Sequence, residues 1–355
     1  MFTASLGVFL FGLLAAIAGG AVGAAIGGNY AFVMTGFMVL ASWGMFAATG
    51  NSFGLDYLAF GPFFGPHVAF AGGVAGSIYA TYKSYMTDGK DVNTPLAGLG
   101  KPDVLLIGSL FGVFGYVVQI GISNIPWFGA HTDSVALTVL ISGLTARWVF
   151  GGLKKQLFTG SLHNPELFHE DATSFPAKIK PGPNGRWLEW QEKPGQLLAI
   201  GSLFGIFAGF VSLMLASEVG AHFTKMGLAN DLAASKGNSF AFGISAVIIL
   251  FLITNRNMPV QHHVTITAGL GAIQFYPIVM GASFAWTSVA TWNSHAWLMA
   301  FVALLIAGVF GIMAAAFAEL AARLWYNRGT SHIDPPAAAI WISNTIVVSL
   351  AALLS

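Results

Sequence analysis

The chain of 355 residues contains no cysteine, which excludes disulfides, thiolate metal sites and thiol catalysis. Charge is nearly as scarce: Asp, Glu, Lys and Arg make up 8% of the sequence, while 55% is hydrophobic. Soluble domains carry about a quarter charged residues. This chain has too few polar side chains to cover a globule in water, so lipid must solvate most of it. Fifteen basic residues against fourteen acidic ones leave a formal charge of +1. No basic face exists to neutralise phosphates, which argues against a nucleic-acid partner. The start, Met1-Phe-Thr-Ala-Ser-Leu6, lacks the basic n-region of a signal peptide, and the long apolar run behind it reads as a retained first span.

A bilayer core about 30 Å thick needs about 20 apolar residues per helix. Ten segments qualify, over 4–26, 31–49, 62–82, 104–123, 134–151, 197–217, 239–255, 263–284, 296–322 and 335–354. One long polar stretch separates the fifth from the sixth. It holds Lys154, Lys155, Lys178, Lys180, Arg186 and Lys193 among acidic residues, with Pro176, Pro181, Pro183 and Pro194 keeping it irregular. Trp187 and Trp190 within it suit the headgroup level. With the N-terminus outside and the spans alternating, every lysine and arginine except Lys225 and Lys236 falls on the inner side, as the positive-inside tendency asks. The sequence therefore predicts an all-α integral membrane protein of the plasma (inner) membrane. Both termini lie outside, and residues 152–196 form a cytoplasmic linker.

The spans read as one unit written twice. His131-Thr-Asp133 returns as His332-Ile-Asp334, 201 residues on, each opening an apolar run. His67-Val68 returns as His263-Val264, and Gly112-Val-Phe-Gly115 as Gly308-Val-Phe-Gly311, both 196 residues on. A competing echo, Ile107-Gly-Ser-Leu-Phe-Gly112 with Ile200-Gly-Ser-Leu-Phe-Gly205, would pair the fourth span with the sixth. Three ordered echoes outweigh it, giving five-helix repeats over 1–151 and 197–355. An odd number of spans turns the second repeat upside down relative to the first, the inverted-topology arrangement of many secondary transporters.

On this topology His67, His131 and Asp133 fall near one surface; His263, His332 and Asp334, with His262 beside them, fall near the other. Each aspartate has a structural reading as the cap of a helix N-terminus, and Pro335 and Pro336 are tolerated in a first turn. The functional reading is a His–Asp pair that exchanges a proton near neutral pH, forming a gate at each mouth. A divalent metal at His67, His131 and Asp133, or at His263, His332 and Asp334, is the weaker alternative, since no helical ligand spacing supports it. Spans 3 and 8 are glycine-rich and follow Pro66 and Pro259, the pattern of a midplane pathway. There Thr265 and Thr267 add hydrogen-bonding groups. Glu319 and Arg323 sit one turn apart and should pair. Arg147 should snorkel to headgroups, and Gly19, Gly23 and Gly27 read as packing positions.

These features point to a transport protein, not an enzyme, for a small neutral or monovalent solute: a channel, or a proton-coupled secondary transporter. The rival is an accessory subunit, or an intramembrane enzyme, of a larger membrane complex. The implied partners are the lipid bilayer and a small solute or ion. Homo-oligomerisation stays open, and no cofactor is called for.

Overall fold

The computed structural model describes residues 6–151, 187–254, 256–281, 284–327 and 329–355. The linker expectations on residues 152–186 lie outside these. Among the described residues the regular structure is helical, apart from one isolated bridge between Gly89 and Ser331. The ten long helices among the described residues run α1 Leu6–Ile26, α2 Gly28–Thr49, α3 Ala69–Tyr82, α4 Pro102–Ser123, α5 Ser134–Phe150, α6 Pro194–Lys225, α7 Gly237–Ile253, α8 His262–Met280, α9 Ser294–Ala321 and α10 Pro335–Leu354, with short helical turns between them. All but α3 and α5 are long and apolar enough to cross a membrane.

Local chemistry sets the boundaries. Asp133 accepts a hydrogen bond from the Ala136 amide at 2.9 Å, and Asp334 one from the Ala337 amide at 2.8 Å. Each thus satisfies one of the free N–H groups at a helix start. Pro102 and Pro194 open α4 and α6, where a missing N–H costs nothing. Gly27, with φ +92°, joins α1 to α2 without a loop. Span 3 is shorter than its apolar run because Gly61-Pro62 and Gly65-Pro66 break the first turns. The non-helical backbone there is covered by protein: the Thr35 hydroxyl donates to the Phe64 carbonyl at 2.6 Å, and Gly115 lies against the His67 carbonyl.

The packing of the first five helices recurs in the last five. Helix α1 packs on α2, α3 and α4; α3 packs on α2, α4 and α5; α4 packs on α5. In the same way α6 packs on α7, α8 and α9; α8 packs on α7, α9 and α10; α9 packs on α10. The two sets meet chiefly where α2 crosses α7 and where α5 lies along α10. Both junctions are reciprocal. A Cβ on Gly36 would meet Ala246 and the Gly243 carbonyl at 2.9 Å, and a Cβ on Gly243 would meet Val39 at 2.9 Å and Leu40 at 3.1 Å. On the other side, Thr132 bonds Thr345 and Asp133 bonds Asn344, while Gly143 lies against Ile333. Helices α5 and α10 are therefore antiparallel, each starting alongside the body of the other.

Glycines also explain the competing echo. Gly108 and Gly112 of α4 sit against Gly20 of α1, and Gly201 and Gly205 of α6 sit against Gly308 and Gly311 of α9. The Ile-Gly-Ser-Leu-Phe-Gly motif thus marks a close helix crossing in each set rather than the repeat register. Gly19 and Gly23 pack against the backbone of Phe63 and Ala69.

Inside, Trp43 and Phe46 of α2, Phe70 of α3, Phe242 and Ile249 of α7 and Ile340 of α10 belong to one buried cluster that spans both sets. Outside, large apolar side chains stand exposed along α1, α4, α6 and α9, among them Phe11, Leu14, Leu106, Leu110, Leu203, Phe210, Phe301 and Val309. A water-soluble monomer rarely presents so extended an apolar surface.

Candidate functional site

A cavity of about 270 Å³ lies where the two sets of helices meet. Its lining pairs residues of the two sets at the offsets of the sequence echoes: Asp133 with Asp334, Val135 with Pro336, Ala136 with Ala337, Val139 with Ile340, and Phe70 with Ile266. Phe32 of α2 and Phe242 of α7 close its flanks, with their rings 5.7 Å apart and edge to face. The cavity is therefore bounded by α2, α3, α5, α7, α8 and α10, apolar along its middle and acidic towards both ends.

The depth of the two aspartates follows from the antiparallel register. Asp133 is level with Asn344, which lies ten residues beyond Asp334 on α10. At 1.5 Å per residue the two carboxylates stand roughly 15 Å apart along the helices. They lie well inside the bundle rather than at its two surfaces.

The ends differ. Asp133 uses its second oxygen to accept from the Asn344 amide at 2.9 Å, and Asn344 in turn accepts from the Thr267 hydroxyl at 2.8 Å. This buried chain ties α5, α8 and α10 together. His131 does not join it: its ring stacks on Trp127 with centroids 4.5 Å apart, its Nδ1 bonds the Trp127 carbonyl, and the residue is only half-buried. At the other end His332 does meet its aspartate, with Nε2 3.4 Å from Asp334 Oδ1. His262 lines the same end, at the place the first repeat fills with Pro66.

The remaining expected site residues lie off this cavity. Thr265 is wholly buried and shares a hydrogen bond with Ser245 at 2.9 Å. His263 is buried beside Trp187, ring centroids 6.2 Å apart. His67 lines a second cavity of about 470 Å³, with Asp56, Tyr57, Tyr116 and Gln119. Phe60 borders both cavities and packs on Phe242 at 5.6 Å, so its ring forms the partition between them. Among the described residues no three histidines or carboxylates stand together so as to hold a metal ion.

Two groups act on the site from behind. Arg147, which the sequence places at a headgroup, is instead fully buried: Nε donates to Ser331 Oγ at 2.7 Å and Nη2 to the Ser331 carbonyl at 2.6 Å. It is too far inside the fold to snorkel, and it clamps the strand-like segment that carries His332. That segment is held from its other side by the 83–101 loop, since the His332 amide donates to the Gly89 carbonyl at 2.9 Å. In the same loop Lys90 sits over the Tyr326 ring, 4.8 Å from its centroid. Burial pushes its pKa down to about 8, with Asp88 opposing the shift and Arg147 adding to it. Trp187 closes this end of the cavity, its amide donating to Asn327 Oδ1 at 2.9 Å. The side chain of Gln191 pairs with both backbone groups of Val260, at 2.8 and 3.0 Å. Glu319 and Arg323 pair at 2.7 Å as expected.

Asn344 went unread in the sequence, although a lone amide in the middle of an apolar run was a signal that could have marked it. Phe32, Phe70, Phe242 and Phe60 were not, because thirty phenylalanines give no contrast by which to choose four. No curated protein and no solved structure matches the chain. A family model matches residues 3–355, and the chain thereby belongs to a family of unknown function (DUF7973).

Proposed function

We propose that this is an integral membrane transport protein built from two inverted five-helix repeats. It carries a small neutral or monovalent solute across the membrane between them, through the pseudo-two-fold axis that lies in the membrane plane. The observation that carries the reading is the paired cavity, formed where both repeats contribute the same helices and the same lining positions. Two features support inversion: the two junctions between repeats join equivalent helices, α2 with α7 and α5 with α10, and both are reciprocal residue by residue. Exposed apolar surface on α1, α4, α6 and α9 suits contact with lipid, and the eight long apolar helices suit a bilayer about 30 Å thick. Centred on the axis, that bilayer would place each aspartate about 7 Å from its midplane. Carboxylates at that depth are costly and belong to functional sites by default. On this reading Phe60 separates the central cavity from the outward vestibule, while Trp187 stands at the inward end. The plasma membrane is its place, with both termini outside and residues 152–196 inside.

The test is flux. Protein reconstituted in liposomes should speed entry of at least one of urea, glycerol, methylammonium or nitrate, read by stopped-flow light scattering. Val139→Trp, which fills the cavity, should stop it; His332→Ala should alter its rate or pH dependence, whereas His131→Ala should not. Rates equal to those of empty vesicles for every solute would sink the proposal. Orientation is checked separately: a membrane-impermeant maleimide applied from outside should label Lys225→Cys and spare Arg256→Cys.

A further inference from the structure

We infer that the Asp334 end of the central cavity is a binding site for a small protonated amine, an alkylammonium whose tail lies along the apolar middle. The inference deepens the transport reading by naming the class of solute, though the binding itself does not depend on transport.

Hydrogen-bonding capacity at this end is one-sided. Asp334 carries acceptors only once ionised. His332 directs Nε2 to Asp334, which leaves Nδ1 as the lone-pair nitrogen of the neutral ring. That Nδ1 has no partner among the described residues, and neither has Nδ1 of His262. Both histidines are only 6% exposed and both line the cavity. Buried polar atoms are rarely left unpaired, so a ligand N–H is what the His332 Nδ1 lacks, and the His262 Nδ1 lacks a partner as well. Donors nearby are partly committed: one N–H of the Asn29 amide to Asn93 at 2.7 Å, and Arg147 to Ser331.

Charge and shape narrow the ligand further. No lysine or arginine lines the cavity among the described residues, and its acidic groups are the carboxyls of Asp133 and Asp334. An ionised carboxylate at either end would repel an anion. A bare alkali or alkaline-earth ion needs a shell of about six oxygens, which these walls do not offer. Aromatic rings crowd this end instead: Phe32 is 4.6 Å from the His262 ring, and Phe70 is 5.8 Å from the His332 ring. Their faces attract an organic cation. Beyond them Val139, Ile340 and Ile266 offer an alkyl chain apolar contact. The Asp133 end lacks the histidines, which places the ammonium at Asp334.

The experiment uses the full-length protein purified in detergent, with butylammonium chloride as probe and 1-butanol and sodium butyrate as matched controls. Binding is read by calorimetry and by the intrinsic tryptophan fluorescence, to which Trp187 at the cavity contributes. Butylammonium should bind saturably and about tenfold or more tightly than either control. Asp334→Asn, which keeps a good helix cap, should weaken it at least about tenfold, and Asp231→Asn should leave it unchanged. Absence of saturable binding to the wild type would overturn the assignment. So would equal binding of butanol or butyrate, or a larger loss in Asp133→Asn than in Asp334→Asn. Amine binding without flux in vesicles would remove the transport reading alone; flux without amine binding would remove this one alone.

Discussion

The hydrogen-bond chain Asp133–Asn344–Thr267 fastens one half of the molecule to the other, and its strength can be worked out in advance. Asp133→Ala removes two acceptors. Losing the cap for the Ala136 amide costs about 1 kcal/mol. Leaving the Asn344 amide unpaired in a dry interior adds about 1–3 kcal/mol. The total, about 2–4 kcal/mol, should exceed the effect of Asp334→Ala, whose cap is equivalent but whose other oxygen meets His332 of its own half and, among the described residues, none of the other half. A double-mutant cycle isolates the link. If Asp133 is ionised, its coupling to Asn344 should approach the roughly 1.5–3 kcal/mol of a bond to a charged group; if it is protonated, it should fall near the roughly 0.6 kcal/mol typical of neutral bonds inside membranes. Equilibrium unfolding by sodium dodecyl sulfate in mixed micelles, followed by circular dichroism, measures Asp133→Ala, Asn344→Ala and the double variant. A coupling indistinguishable from zero, or equal losses at Asp133 and Asp334, would refute the reasoning.

Other expectations bear on the packing and on one loop. Gly36→Ala should destabilise the protein by about 1–3 kcal/mol, because the new methyl meets α7 at both backbone and side chain. Gly44→Ala, on the same helix with nothing within 4 Å, should be neutral or gain about 0.5–1 kcal/mol; equal effects would contradict the α2–α7 crossing. Thr132→Cys with Thr345→Cys should cross-link on oxidation, since the two hydroxyls are 2.9 Å apart and the chain has no cysteine to interfere. A gel shift that appears with neither single variant checks it. Lys90 has its pKa lowered to about 8 when folded, so unfolding takes up a proton between there and its ordinary value near 10.4. Stability should therefore rise with pH across that window, and the rise should be smaller in Lys90→Met, measured as the difference between their thermal midpoints.

The sequence by itself determined the helices and their apolar character, and it carried the echoes between its two halves. Eight per cent charge cannot cover a soluble globule, and apolar runs broken by proline, glycine and aspartate left little choice about where helices begin. Asp133 and Asp334 announced themselves because a cap is a local arrangement, complete within four residues. Even the interruption before α3 was written in Gly61-Pro62 and Gly65-Pro66, although the apolar run hid how short that helix is. What only the tertiary structure decided is depth and company. An antiparallel register between α5 and α10 depends on how two surfaces two hundred residues apart fit, and that register brings both aspartates into the interior. It separates His131 from Asp133 while joining His332 to Asp334, though the two tripeptides look alike. It also draws Arg147 inward, because a guanidinium that finds Ser331 gains more from those bonds than from reaching towards water. Repetition in a sequence specifies equivalent positions; only packing decides whether equivalent positions have equivalent neighbours.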